Sequence, residues 1–170
     1  MLMVMARRTI VAMIIALSAS ACTKRSEPAP DKTSVIPDQD TSRVLAAQTP
    51  DADSAVSVIR SYYEAIDERR FADAYTLWSD NGRASGKSVA DFTAGFAETA
   101  HVKLDTGLPS RVEPAAGSRY ITIPVTITAN LKNGVIQSFT GTYDLRRSVV
   151  DGASAEQRAW RIESAKIQLP

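Results

Sequence analysis

The sequence predicts an α+β domain over residues 49–170: three N-terminal helices packed on a curved antiparallel sheet of about four strands. Two observations predict it. Apolar residues recur at helical spacing from Ala55 to Phe96, and after Ala100 they switch to alternation. Asn133-Gly134 then stands between two alternating runs, which is the strongest short signal for a β-hairpin.

The first helix has a marked start. Thr49 is placed to cap it, Pro50 suits the first helical position, and Asp51 and Asp53 favour the positive end of the helix dipole. Ala55, Val58, Ile59, Tyr62 and Ile66 share one face, with Arg60, Glu64, Asp67 and Glu68 mostly off it. The pattern pauses at Arg69-Arg70 and resumes in a shorter helix carrying Phe71, Ala74, Tyr75 and Trp78. Gly82 and Gly86 mark residues 79–87 as a loop. Ser88 caps the third helix, with Asp91 three residues on and Val89, Phe92 and Phe96 as its buried stripe.

The strands follow. Residues 101–106 put Val102 and Leu104 on one face. Gly107 and Pro109 interrupt, residues 110–113 continue the same bent strand, and residues 115–118 turn. Ile121, Ile123, Val125, Ile127, Ala129 and Leu131 then alternate with polar residues. Pro124 lacks a ladder donor, which predicts a bulge or a partial edge there. The return strand has Phe139, Gly141, Tyr143 and Leu145 on one face and Ser138, Thr140, Thr142 and Asp144 on the other. Residues 149–157 form a longer loop. In the last strand Trp160 and Ile162 have the opposite parity to Ile167 and Leu169, which predicts a bulge near Ser164.

The first 21 residues read as a secretory signal peptide. Arg7 and Arg8 precede an apolar run, residues 9–17, and the small residues Ser18-Ala19-Ser20-Ala21 follow. The run is far shorter than the roughly 18 residues of a membrane-spanning helix. Ala19-Ser20-Ala21-Cys22 resembles a bacterial lipobox, although Ala19 stands where Leu or Val is usual. The resemblance implies that Cys22, the only cysteine, is acylated and becomes the new N-terminus. It implies a lipid-anchored protein of the cell envelope, and Thr23 in place of Asp favours the outer membrane facing the periplasm. Residues 22–48 are polar and proline-bearing and read as a flexible linker. Such a tether averages roughly 30 Å end to end and stretches to about 90 Å.

Loss of Arg7 and Arg8 takes the basic residues from 20 to 18 against 19 acidic ones, so the formal charge moves from +1 to −1. A near-neutral chain carries no electrostatic footprint for nucleic acid. Nor can a disulfide form within the chain, so packing must hold the domain together.

The run Tyr62-Tyr63-Glu64-Ala65-Ile66-Asp67-Glu68-Arg69-Arg70-Phe71-Ala72-Asp73-Ala74-Tyr75-Thr76-Leu77-Trp78 resembles the opening helix pair of the nuclear transport factor 2-like (NTF2-like) superfamily. The resemblance spans residues 49–169 and implies a cone, a curved sheet wrapped around helices with a pocket inside. Residues 79–87 are too short for the β-hairpin that many members place there. The superfamily includes ketosteroid isomerase-like and polyketide cyclase-like enzymes, and small secreted or lipid-anchored proteins.

Candidate site residues fall into two groups. Tyr62, Tyr75, Trp78, Tyr143 and Trp160 are candidates to line a pocket between the first helix and the sheet. His101, Asp105 and Asp144 are the titratable candidates; His101 has a plainer reading as a strand-face residue, and Asp144 as part of a polar row. Arg146-Arg147 reads as a solvated edge that discourages strand addition. No phosphate loop, dinucleotide fingerprint or metal motif is present in the sequence. The expected function is a lipid-anchored binding module without catalytic activity or cofactor, membrane-bound through its anchor, holding a small apolar ligand or a periplasmic protein. The alternative is a small cofactor-free isomerase, dehydratase or cyclase.

Overall fold

Thr49 starts the first helix as its side chain dictates, in a computed structural model that describes residues 49–169. The expected signal peptide, Cys22 and the linker to residue 48 lie outside the described residues, as does Pro170. Thr49 Oγ1 accepts the Ala52 N–H at 3.2 Å and opens α1, Pro50–Asp67. Removing this cap by Thr49→Ala is expected to cost about 1 kcal/mol, read as a shift in the urea midpoint.

The pause at Arg69-Arg70 is a helix stop. Arg69 sits at φ 63°, and the Arg69 and Arg70 N–H groups donate back to Ile66 O and Ala65 O at 3.0 and 2.7 Å. That is a Schellman closure with arginine where glycine is usual. The Arg69 side chain adds a bond to Thr99 O at 2.7 Å. The chain then forms α2, Phe71–Thr76. Trp78 lies beyond it, in a turn, and forms an isolated parallel bridge with Ile162. A 3₁₀ turn, Arg83–Ser85, follows. Next comes α3, Val89–Ala94, whose cap Ser88 Oγ accepts from Asp91 N at 3.1 Å. The expected stripe of α3 holds only in part. Phe92 is buried, Phe96 is partly so, and Val89 is 47% exposed. A helix this short turns only its middle toward the core.

The sheet has five antiparallel strands rather than about four. They are β1 Thr99–Thr106, β2 Glu113–Ala115, β3 Ser118–Leu131, β4 Ile136–Ser148 and β5 Arg161–Gln168. Their order is β1-β3-β4-β5, with β2 also on β3. β1 pairs with residues 125–131 of β3 and β2 with residues 118–120, so the two divide one edge of β3 between them. Pro124 falls in the gap. Its carbonyl accepts the Gly107 N–H at 2.8 Å, and its missing donor is therefore not missed by any strand. At the hairpin tip Gly134 has φ 83° and its N–H donates to Leu131 O at 2.9 Å.

The expected bulge is at Glu163. Asp144 faces Ser164 while Leu145 faces Ile162, so one extra residue lies on β5. The insertion turns Ile162 into the core, where it is 0% exposed. The stretch read as a plain loop at 149–157 contains the start of a one-turn helix, α4, Ala155–Arg158. Ser154 and Gln157 close it as a capping box.

One face of the sheet packs against α1. Ile59, Ile121, Ile123, Leu145 and Ile162 are fully buried there, each worth about 1.5–3 kcal/mol of hydrophobic transfer. Asp67, near the end of α1, fixes the sheet edge through Oδ1, which accepts the Val102 N–H at 2.8 Å.

Candidate functional site

The aromatic residues expected to line a pocket are in the core. Tyr62, Tyr75, Trp78, Tyr143 and Trp160 are between 3% and 8% exposed. Tyr62 is the hub. Its ring meets Tyr63, Trp78, Phe92 and Tyr143 at centroid separations of 4.9 to 6.2 Å, all edge-on. Tyr63 and Tyr143 share a buried hydrogen bond between their hydroxyls at 2.6 Å. Burial, the largest cause, pushes the phenols of Tyr62, Tyr63 and Tyr143 above the ordinary tyrosine range, so they stay neutral. The unfolded chain ionises these groups from about pH 10 and the folded chain does not. Stability is therefore expected to be insensitive to them below pH 10 and to fall as pH rises from there toward the raised folded values. Alkaline titration of the melting temperature checks this.

The titratable candidates stand apart from one another. His101 is largely exposed, with Nδ1 3.4 Å from Asp67 Oδ1. Asp105 is exposed and pairs with Lys103 Nζ at 3.1 Å. Asp144 lies on the face of β4 opposite Tyr143 and Leu145. Its two carboxylate oxygens accept from Thr122 Oγ1 at 2.7 Å and Ser164 Oγ at 2.9 Å. Among the described residues no group of three or more His, Cys, Asp or Glu is placed to hold a metal ion. No described helix is long and apolar enough to cross a membrane.

A cleft of about 600 Å³ lies at the end of the sheet where three connections meet. The turn before β3 supplies Gly117 and Ser118. The end of β4 and the excursion after it supply Arg146, Arg147, Val150 and Ala159, and the segment after α2 supplies Trp78, Ser79 and Arg83. Arg161, the first residue of β5, completes the floor. Asp80 and Glu156 also border it, so four arginines face two acids. Tyr62, Tyr75 and Tyr143 do not line it.

The geometry of the arginines follows from the sheet register. Arg119 stands opposite Arg147, and Arg146 opposite Arg161. Arg147 is neutralised: its Nη2 donates to Asp51 Oδ2 at 2.9 Å, and its guanidinium lies 5.3 Å over the Trp160 ring. Asp51 also accepts the Trp160 indole N–H at 2.9 Å through Oδ1. This one carboxylate in the first turn of α1 thus fixes both the arginine and the tryptophan. Arg146 Nε donates to Ser118 Oγ at 3.1 Å, and Ser118 is 3% exposed. Arg161 Nη1 donates to Trp160 O at 3.2 Å.

Two shallower clefts flank the domain. One is bordered by Asp51, Arg147, Arg158 and Trp160. The other lies between Arg60, Tyr63 and Glu64 of α1 and Val102 and Leu104 of β1. Of the expected pocket residues, only Trp78 and Trp160 reach a described cleft. Sequence reasoning set Arg146 and Arg147 aside as an edge and passed over Arg161 and Ser118. The doubled arginine was the available signal. What it lacked was the partner strand.

No protein-family model matches the chain, and no curated protein matches it in sequence. Its backbone is similar to that of the Kfla4162 protein from Kribbella flavida, at 16% identity over 70% of this chain and 90% of that one, with a TM-score of 0.50. It is also similar to a candidate dehydratase of the NTF2-like family from Streptomyces avermitilis, at 15% identity, 71% and 97% coverage and a TM-score of 0.48. A third similar structure is Aln2 from a Streptomyces species, at 14% identity, 71% and 92% coverage and a TM-score of 0.44. What the chain shares with Kfla4162 is its fold: helices on one antiparallel sheet.

Proposed function

We propose that the chain is a ligand-binding module of the bacterial cell envelope, without catalytic activity. It is held to a membrane by acylated Cys22 and the linker that follows, and its NTF2-like domain binds a small molecule in the cleft at the Arg146 and Arg161 end. The observation that carries this reading is where the open space lies. The apolar region between α1 and the sheet is packed ring against ring, while the cleft of about 600 Å³ is polar. A volume of this size suits a small ligand. The ligand is therefore polar, not the apolar one suggested by the aromatic residues. His101, Asp105 and Asp144, the candidates for acid–base chemistry in the isomerase or dehydratase alternative, border none of this cleft.

Protein purified from membranes tests the reading in two measurements. Intact mass is expected to show an N-terminus at Cys22 carrying acyl chains, and a soluble product with a free Cys22 thiol would remove the anchor. Native mass spectrometry is expected to find a retained small molecule that survives prolonged incubation unchanged. Its conversion to a product would favour the enzyme alternative instead.

A further inference from the structure

We propose that the cleft is an oxyanion site: Arg146 and Arg161 together hold a phosphate or carboxylate group of the ligand, with Arg83 lining the same cleft. This rests on the binding-module reading and names its ligand class. The cross-strand register carries it. Arg146 and Arg161 stand directly opposite each other on adjacent strands, where like charges destabilise a sheet. The neighbouring pair, Arg119 and Arg147, is opposed in the same way, but there the fold supplies a counter-charge in Asp51. Among the described residues no carboxylate forms an ion pair with Arg146, Arg161 or Arg83. A bound oxyanion supplies the missing charge.

The bulge at Glu163 builds the juxtaposition. An unbroken register from Asp144 and Ser164 sets Ile162 opposite Arg146. The extra residue moves Ile162 opposite Leu145 and brings Arg161 opposite Arg146 instead. The step that completes the core is thus the step that pairs the arginines. Each guanidinium is then fixed by one bond, Arg146 to the buried Ser118 hydroxyl and Arg161 to the Trp160 carbonyl. Their remaining donors have no protein acceptor among the described residues. Two planar forks so fixed match the oxygens of a phosphate or carboxylate. Asp80 and Glu156 border the same cleft, but with Arg147 neutralised by Asp51 the three remaining arginines, Arg83, Arg146 and Arg161, still outnumber these two acids.

Isothermal titration calorimetry on the full-length chain in neutral detergent, at constant ionic strength, tests this with three probes: inorganic phosphate, citrate and dihexanoyl phosphatidylglycerol. One-to-one saturable binding of at least one probe is expected. Arg146→Gln and Arg161→Gln should each weaken it by about tenfold or more, while Arg111→Gln leaves it unchanged. Arg161→Gln should melt no lower than the parent chain, because it relieves the like-charge pair, whereas Arg146→Gln sets that relief against loss of the bond to the buried Ser118 hydroxyl. Binding of the lipid but not of phosphate identifies a membrane headgroup as the source, and the reverse identifies a free solute. Either result supports the site. Binding that is equally strong in both variants, or no binding of any probe, overturns it. An uncharged molecule retained from membranes, with no oxyanion bound, removes the oxyanion site but leaves the binding module. Turnover of a bound oxyanion does the opposite.

Discussion

Truncation of Tyr62 to alanine is expected to cost about 4 kcal/mol of folding stability. Tyr62 is 3% exposed and its ring touches four others, from α1, the stretch after α2, α3 and β4. Its loss leaves a void among four closely packed rings, so both the transfer and the cavity contributions apply. Phe71→Ala should cost less, because Phe71 is only partly buried and stacks on the partly buried Phe96. Urea denaturation of both variants measures the difference. A loss below about 1 kcal/mol at Tyr62 would mean that the rings do not fill the space between α1 and the sheet.

Gly141→Val is expected to destabilise the domain by roughly 3 kcal/mol or more. Gly141 pairs with Ile167 across β4 and β5. A β-carbon there runs into the backbone of Lys166 and approaches Ile167 Cα to 2.9 Å. Backbone, unlike a side-chain tip, has no rotamer to escape into, so β5 must lift away from β4. The strand carries Arg161, and the cleft should loosen with it. Hydrogen exchange of the amides in residues 161–168 reads this directly. Unchanged protection there would show that the sheet absorbs the added volume elsewhere.

Local features of this fold are written in adjacent residues, and those were legible. The caps at Thr49 and Ser88 bond to amides within three residues of themselves, so spacing alone announces them. The bulge in β5 was legible because Ile162 and Ile167 can face the same side of one strand only if a residue is inserted between them. The capping box of α4 was there to be read in Ser154 and Gln157, but the turn it closes is too short to show an apolar period. The short strand β2 was hidden for the same reason: three residues cannot establish an alternation.

Spacing also showed that Tyr62, Tyr75, Trp78, Tyr143 and Trp160 face inward. It did not show whether facing rings leave a gap or interlock, because that depends on the angles at which α1 and the sheet meet. The arginine cleft was less legible still. Arg146 and Arg161 are brought together by a register that depends on one inserted residue, Glu163. The counter-charge for Arg147 comes from Asp51, at the far end of the domain sequence.

The most direct test of the proposed oxyanion site is an amide chemical-shift titration of the full-length chain, in detergent micelles, with inorganic phosphate. Shifts concentrated at Ser118, Arg146 and Arg161, with none at Tyr62, Tyr63 or Tyr143, are the expected result. Shifts confined to the three tyrosines, or spread evenly over exposed arginines such as Arg60 and Arg111, would contradict it.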